Sequence, residues 1–391
     1  MLLSIALIIL VSLTLTSLFQ KIRIPGIIAM IITGIILGSL GLISDNILAI
    51  SADLREIALI VILLRAGLTV DLNDLKKVGK TAILLCFIPA TIEIATIALL
   101  APVFFDITLT ESLILGSVIA AVSPAIVVPR MIHLIENKYG TKKSIPQMIL
   151  AAASIDDIYV IILFTSFVQL YQTNSYSFMS LLEIPLSILL GAIAGILVGL
   201  ILVWFFKKYH FRDTIKVMIL FSISFLFIFL ENTIKPYIGF SGLLAIMVLG
   251  GTILEKYPTL ASRLTTKFSK IWVLAEIMLF VLVGAITDVS VLVNIGLLAV
   301  VLLLASMFFR MVSVYFITGT AKLSKKERVF ASFSYLPKAT VQAAIGAIPL
   351  SLGIENGNLI LIIAVLSIVI SAPIGAILID SLHEKMLTQD E

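Results

Sequence analysis

The chain has 391 residues, 60% of them hydrophobic and only 13% charged, with a mean hydropathy of +1.19. This is more apolar surface than a water-soluble core of that length needs, so the bilayer is the expected solvent. The net charge of +4 is dispersed through short loops rather than gathered in a stripe, which excludes a nucleic-acid partner. The lone Cys86 has no second thiol or histidine at ligand spacing, which supports neither a disulfide nor a zinc site.

A spanning helix takes about 20 mostly apolar residues. Apolar runs between polar or Pro/Gly breaks predict spans at 1–19, 25–43, 54–70, 79–104, 111–132 and 145–171. The first lacks the basic start and small-residue cleavage site of a signal peptide and is read as a span. Further spans fall at 180–206, 214–231, 237–254, 268–287, 291–320, 328–350 and 357–380, giving an all-α polytopic membrane protein of about 13 transmembrane helices.

Positive charge should concentrate in short cytoplasmic loops. The loops after spans 1, 3, 5, 7, 9 and 11, together with the span ends within three residues of them, hold 21 of the 27 Lys and Arg residues, so the N-terminus is expected outside and the C-terminus in the cytoplasm. One membrane transport domain is expected over 1–391, with no soluble regulatory domain: repeat one at 1–171, a linker helix at 180–206 and an inverted repeat two at 214–380. An odd linker helix supplies the inversion.

Two proline breaks occupy matching places in these halves. The fifth span contains Ala121-Val-Ser-Pro124-Ala, and the twelfth Ser334-Tyr-Leu-Pro337-Lys-Ala-Thr340. Proline removes a donor and clashes with the preceding turn, and membrane helices tolerate the freed backbone groups only where protein or a water-filled cavity satisfies them. Broken helices at a repeat interface are the usual place for a transporter's ion site.

Charges in mid-span cost at least ~3 kcal/mol each on insertion scales, so they mark partners or function. Asp156 and Asp157 lie halfway along the sixth span. Adjacent helical residues diverge by about 100°, so the two carboxylates face different partners. Hard oxygen ligands suit sodium or lithium, and a buried carboxylate that takes either a proton or a cation provides exchange by competition. Asp157 is assigned as main cation ligand and proton carrier, with Ser123 and Pro124 in the adjoining break and Asp156 as charge partner. Lys338, directly after Pro337, either offsets exposed carbonyl ends or pairs with Asp156. Thr340 and Gln342 lie within about a turn of it and line the same cavity or cap the break. Glu93 and Arg310 hold corresponding positions of the two halves and are expected to pair.

Four motifs carry a family resemblance: Leu63-Leu-Arg-Ala-Gly-Leu68, Val122-Ser-Pro-Ala-Ile-Val-Val-Pro129, Ile155-Asp-Asp-Ile158 and Leu336-Pro-Lys-Ala-Thr-Val-Gln-Ala-Ala-Ile-Gly346. With them the chain resembles the monovalent cation/proton antiporters, and within these the NHA-type sodium/proton exchangers. The resemblance implies a homodimer in the plasma membrane, a core with crossed broken helices that moves like an elevator, ion binding at Asp157 beside Asp156, and a Glu93–Arg310 core pair. It also implies that sodium or lithium and protons are the transported species, that no cofactor is needed, and that the protein is a transporter serving pH homeostasis rather than an enzyme. Many bacterial relatives with an Asp-Asp pair carry lysine where Arg310 stands. Arginine stays protonated, so either Lys338 takes up the proton-carrying role or exchange is electroneutral.

Two rival functions fit the residues less well. An intramembrane aspartyl protease needs two carboxylates face to face, which neighbours on one helix do not provide. A sodium-coupled symporter of an organic anion on a related inverted-repeat fold needs a spare buried cation, and Arg310 and Lys338 already have acidic partners.

Overall fold

The computed structural model describes residues 1–22, 24–69, 79–173, 178–234 and 239–389. Residue 70, the basic loop expected at 71–78, Arg23 and Lys235 lie outside the described residues. Within them the chain is helical: α1 (Leu2–Lys21), α2 (Gly26–Ser39), α3 (Asp45–Ala49), α4 (Ser51–Gly67), α5 (Lys80–Phe104), α6 (Leu109–Ala120), α7 (Pro124–Glu136), α8 (Ile145–Thr173) and α9 (Phe178–Lys208). There follow α10 (Asp213–Ile234), α11 (Gly242–Lys256), α12 (Pro258–Ala285), α13 (Val289–Thr318), α14 (Lys325–Ser334), α15 (Thr340–Ile345), α16 (Ile348–Ser351) and α17 (Gly357–Met386).

Among the described residues nine segments are long and apolar enough to cross a membrane, one of them the α6–α7 pair. The remaining expected spans hold helices of 14, 17 and 15 residues (α2, α4 and α11) and the interrupted α14–α16 stretch. The largest boundary difference is α12, which begins at Pro258 rather than 268. Proline suits the first helical position, and the helix runs on through Arg263 and Lys267, which a search for apolar runs reads as loop.

The chain divides into two compact units. The first comprises Met1–Asp53, Asn73–Val160 and Ile277–Glu391, and the second Leu54–Leu72 and Ile161–Glu276. In the second, α9, α10 and α11 pack together, α11 touching both others. In the first, α5 packs on α6 and α13, while α17 contacts α6, α7, α13, α14, α15 and α16.

The first unit contains both helix breaks. Pro124 biases the residue before it to extended backbone, and Ala121 and Ser123 are extended (ψ 142° and 110°). α6 therefore stops at Ala120 and α7 restarts with Pro124 in its first turn. Residues 335–339 make the equivalent gap between α14 and α15.

Each broken pair opens on a capping box, Thr108 with Glu111 on α6 and Ser324 with Glu327 on α14. Each box glutamate also reaches to the loop before another helix distant in sequence. Glu111 Oε1 accepts from Asn356 N (3.2 Å) and Nδ2 (3.0 Å), just ahead of α17. Glu327 accepts from Lys143 Nζ (2.8 Å), just ahead of α8.

Without a hydrophobic drive between helices in lipid, close backbone approach supplies packing energy. α2 and α12 use it: a Cβ on Gly34 would lie 2.0 Å from the Val281 carbonyl oxygen, and one on Gly284 would lie 2.2 Å from that of Ile31. Gly34→Leu should therefore lower the thermal unfolding midpoint in detergent, the overpacking costing about 1–3 kcal/mol. An unchanged midpoint would show that this approach does not hold the helices together.

Candidate functional site

All nine residues singled out from the sequence, Glu93, Ser123, Pro124, Asp156, Asp157, Arg310, Lys338, Thr340 and Gln342, fall in the first unit. The two breaks meet there: the Ser123 N–H donates to the Pro337 carbonyl (2.8 Å). The Ser123 and Thr340 hydroxyls are 3.5 Å apart. Ser123 occupies the N-cap position of α7 but its side chain makes no cap bond. Thr340 opens α15.

The end of α6 leaves carbonyls without helical donors, and side chains of the second broken pair take them. Lys338 Nζ donates to the Ile119 carbonyl (2.7 Å). Gln342 Nε2 donates to those of Ile119 (3.0 Å) and Ala121 (2.8 Å). Arg310 Nη1 donates to that of Ala120. Three consecutive carbonyls are thus covered by donors from α13, the 335–339 break and α15.

Four fully buried side chains then form one ionic network. Arg310 Nη1 meets Glu93 Oε2 at 2.8 Å and its Nη2 meets Asp156 Oδ2 at 3.1 Å. Lys338 Nζ meets Glu93 at 2.8 Å. Arg310 therefore bridges α5 and α8 from α13, and Lys338 joins Glu93 from the second break. Of the two partners considered for Lys338, the helix-end carbonyl is occupied, and its carboxylate partner is Glu93; Asp156 pairs with Arg310 instead. Asp156 Oδ2 also accepts the Val122 N–H (2.8 Å), a backbone donor freed by the first break.

Asp157 stands apart from this network. It is 6% exposed, and its Oδ1 is buried with no hydrogen-bond partner. Gln342 Oε1 is likewise buried and unpartnered, its amide nitrogen being committed to the two carbonyls. The network matches two carboxylates with two cations and leaves Asp157 as a further carboxylate beside them. A hard monovalent cation suits such oxygen donors.

Other contributors were not legible in the sequence reading. Ser306 donates to Glu93 Oε1 (3.3 Å), and it lies one helical turn before Arg310, so i,i+4 spacing along α13 is a signal that would have found it. The Arg310 guanidinium lies 5.6 Å from the Tyr335 ring centroid. Ser371 accepts the Lys338 N–H (3.0 Å). Nothing local in the sequence links Tyr335 or Ser371 to those partners.

The transmembrane sodium/hydrogen exchanger family matches residues 6–385. Human sodium/hydrogen exchanger 9B2 is 31% identical over 387 residues, covering 94% of this chain and 70% of that protein. Human sodium/hydrogen exchanger 9B1 is 29% identical over 383 residues, covering 93% and 73%. The structure of the sodium proton antiporter MjNhaP1 from Methanocaldococcus jannaschii superposes with a TM-score of 0.81 at 20% identity, over 97% of this chain and 98% of that one, a likeness of fold. Family match, relatives and fold agree, and this chain belongs to the sodium/hydrogen exchanger family of multi-pass membrane transporters.

Proposed function

We propose that the protein exchanges sodium or lithium for protons by alternating access, with Asp157 as the group that carries either ion. The carrying observation is the contrast between the two neighbouring carboxylates. Asp156 is held by Arg310 and the Val122 N–H, whereas Asp157 Oδ1 is buried without a partner. Asp156 anchors the break and balances Arg310. The Ser123 and Thr340 hydroxyls and the Gln342 carbonyl supply further oxygens, Pro124 keeps the first break open, and Glu93 with Arg310 and Lys338 fixes the surrounding charge.

The inverted-repeat organisation belongs to this reading. It is supported by corresponding pairs at one spacing: Glu93 and Arg310 are 217 positions apart, as are Ser123 and Thr340. The reciprocal reach of Glu111 to Asn356 and of Glu327 to Lys143 relates the two halves in the same way. A homodimer in the plasma membrane, N-terminus outside and C-terminus in the cytoplasm, serving pH homeostasis, completes the proposal. A symporter of an organic anion is not favoured, because Arg310 and Lys338 are both occupied by carboxylates.

The test is reconstitution into vesicles holding a trapped pH dye, with pulses of sodium, lithium or potassium. Sodium and lithium should drive proton movement, and Asp157→Asn should reduce it to the level of empty vesicles; normal exchange by that variant would sink the assignment. Because proton and cation compete for one carboxylate, the apparent KM for sodium should rise as the pH on the binding side falls. A KM independent of pH, with only the maximal rate changing, would argue for separate sites. Removing one partner of a buried pair leaves an uncompensated charge costing about 3–5 kcal/mol, so Arg310→Ala should lower the unfolding midpoint markedly as well as slow exchange. Arg310→Lys should retain more stability, and equal midpoints for the two variants would contradict the bridging role.

A further inference from the structure

The second helix break carries a contact whose counterpart in the first break is Asp156. In the first, the Val122 N–H has left the helical ladder and donates to Asp156 Oδ2 on α8 (2.8 Å). In the second, the Lys338 N–H donates to Ser371 Oγ on α17 (3.0 Å). Val122 and Lys338 fall one position short of the 217-residue spacing that relates Glu93 to Arg310 and Ser123 to Thr340, and Asp156 and Ser371 fall two short. An unpaired backbone donor in a water-poor interior is costly. Each half therefore uses a side chain of a later helix to accept the break's freed N–H, a carboxylate in one and a hydroxyl in the other.

Ser371 is fully buried and its own hydroxyl donates to the Ser367 carbonyl (2.6 Å), which fixes the rotor and aims its lone pairs. One turn further on, Gly375 lets α17 come close to the break, since a Cβ there would lie 2.4 Å from Pro337 Cγ. The residue held this way has its ammonium stretched between Glu93 and the Ile119 carbonyl, at 2.8 and 2.7 Å.

We infer that Ser371 is a positioning residue for exchange: it pins the Lys338 backbone so that the ammonium stays on Glu93 and on the end of α6. The use of a hydroxyl rather than a second carboxylate follows from charge, because an acid at this place would compete with Glu93 for Lys338. The inference rests on the proposed role of the network around Asp157, and the experiment separates the two.

Ser371→Ala, Ser371→Cys, Ser371→Thr and Lys338→Met are compared with the parent chain in the vesicle assay, reading sodium KM, maximal rate and the pH profile, with unfolding midpoints in detergent. Cysteine keeps the volume but is a weak acceptor. The Ala and Cys variants should raise sodium KM or lower the rate by about ten-fold, shift the pH profile in the direction that Lys338→Met shifts it, and keep a midpoint close to the parent's. Ser371→Thr, which restores a hydroxyl, should stay near the parent in all readings. Parent-like behaviour of Ser371→Ala beside an impaired Lys338→Met overturns the role of Ser371 alone. Parent-like exchange by Lys338→Met overturns the underlying reading of the network. Equal losses in the Ala, Cys and Thr variants, or losses that track the midpoint, show packing and also overturn the inference.

Discussion

Arg310 is the hinge of the electrostatics. One guanidinium, wholly buried, reaches Glu93 on α5 and Asp156 on α8 and also caps the Ala120 carbonyl at the end of α6. Replacing a planar fork of donors by a point charge would give up that simultaneous reach. Desolvating charges costs more than their attraction returns unless every lone pair and proton is used. Here Lys338 and Ser306 take up remaining capacity on Glu93 and the Val122 N–H does so on Asp156, while Arg310 Nε is left buried without a hydrogen-bond partner. The network does more than stabilise: it defines which carboxylate is spoken for and which is not.

The helix breaks and the charges solve each other's problems. A break in mid-membrane frees donors and acceptors that hydrocarbon cannot satisfy. The carbonyls of Ile119, Ala120 and Ala121 are met by Lys338, Arg310 and Gln342, and the freed N–H groups of Val122, Ser123 and Lys338 by Asp156, the Pro337 carbonyl and Ser371. Charged residues that would be expensive alone become partners for backbone groups that would also be expensive alone. The capping boxes at Thr108 and Ser324 extend the same economy to the far ends of the two broken pairs.

This division of labour explains what could be read from the sequence. The breaks were legible because proline acts locally: Pro124 and Pro337 disturb their own helix whatever surrounds them. The charges were legible because Glu93, Asp156, Asp157, Arg310 and Lys338 interrupt runs that are otherwise apolar. The choice of Arg310 over Lys338 as partner of Asp156 was not legible, because it depends on how far each stem reaches across three helices and on the direction the 335–339 segment takes. Ser371 and Tyr335 were silent for a related reason. Serine and tyrosine are common in membrane helices, and only the approach of α17 to Pro337, through Gly375, and of Tyr335 to the guanidinium gives them meaning. The start of α12 was not legible because Arg263 and Lys267 break up its first turns with charge and leave no apolar run.

Under the proposed exchange, the matched network also accounts for coupling. With Glu93 and Asp156 balanced by Lys338 and Arg310, the charge of the site depends on Asp157 alone. A proton or a monovalent cation on that carboxylate neutralises it equally well. An empty carboxylate would have to be closed off from water on both sides as an unpaired charge while access changes over, at a cost of at least ~3 kcal/mol. Loaded forms of either kind therefore cross far more readily than the empty one. Strict alternation of cation and proton needs no separate gate for the empty state, because the same matching of acids and bases that holds the breaks together makes the unloaded site the unfavourable one to move.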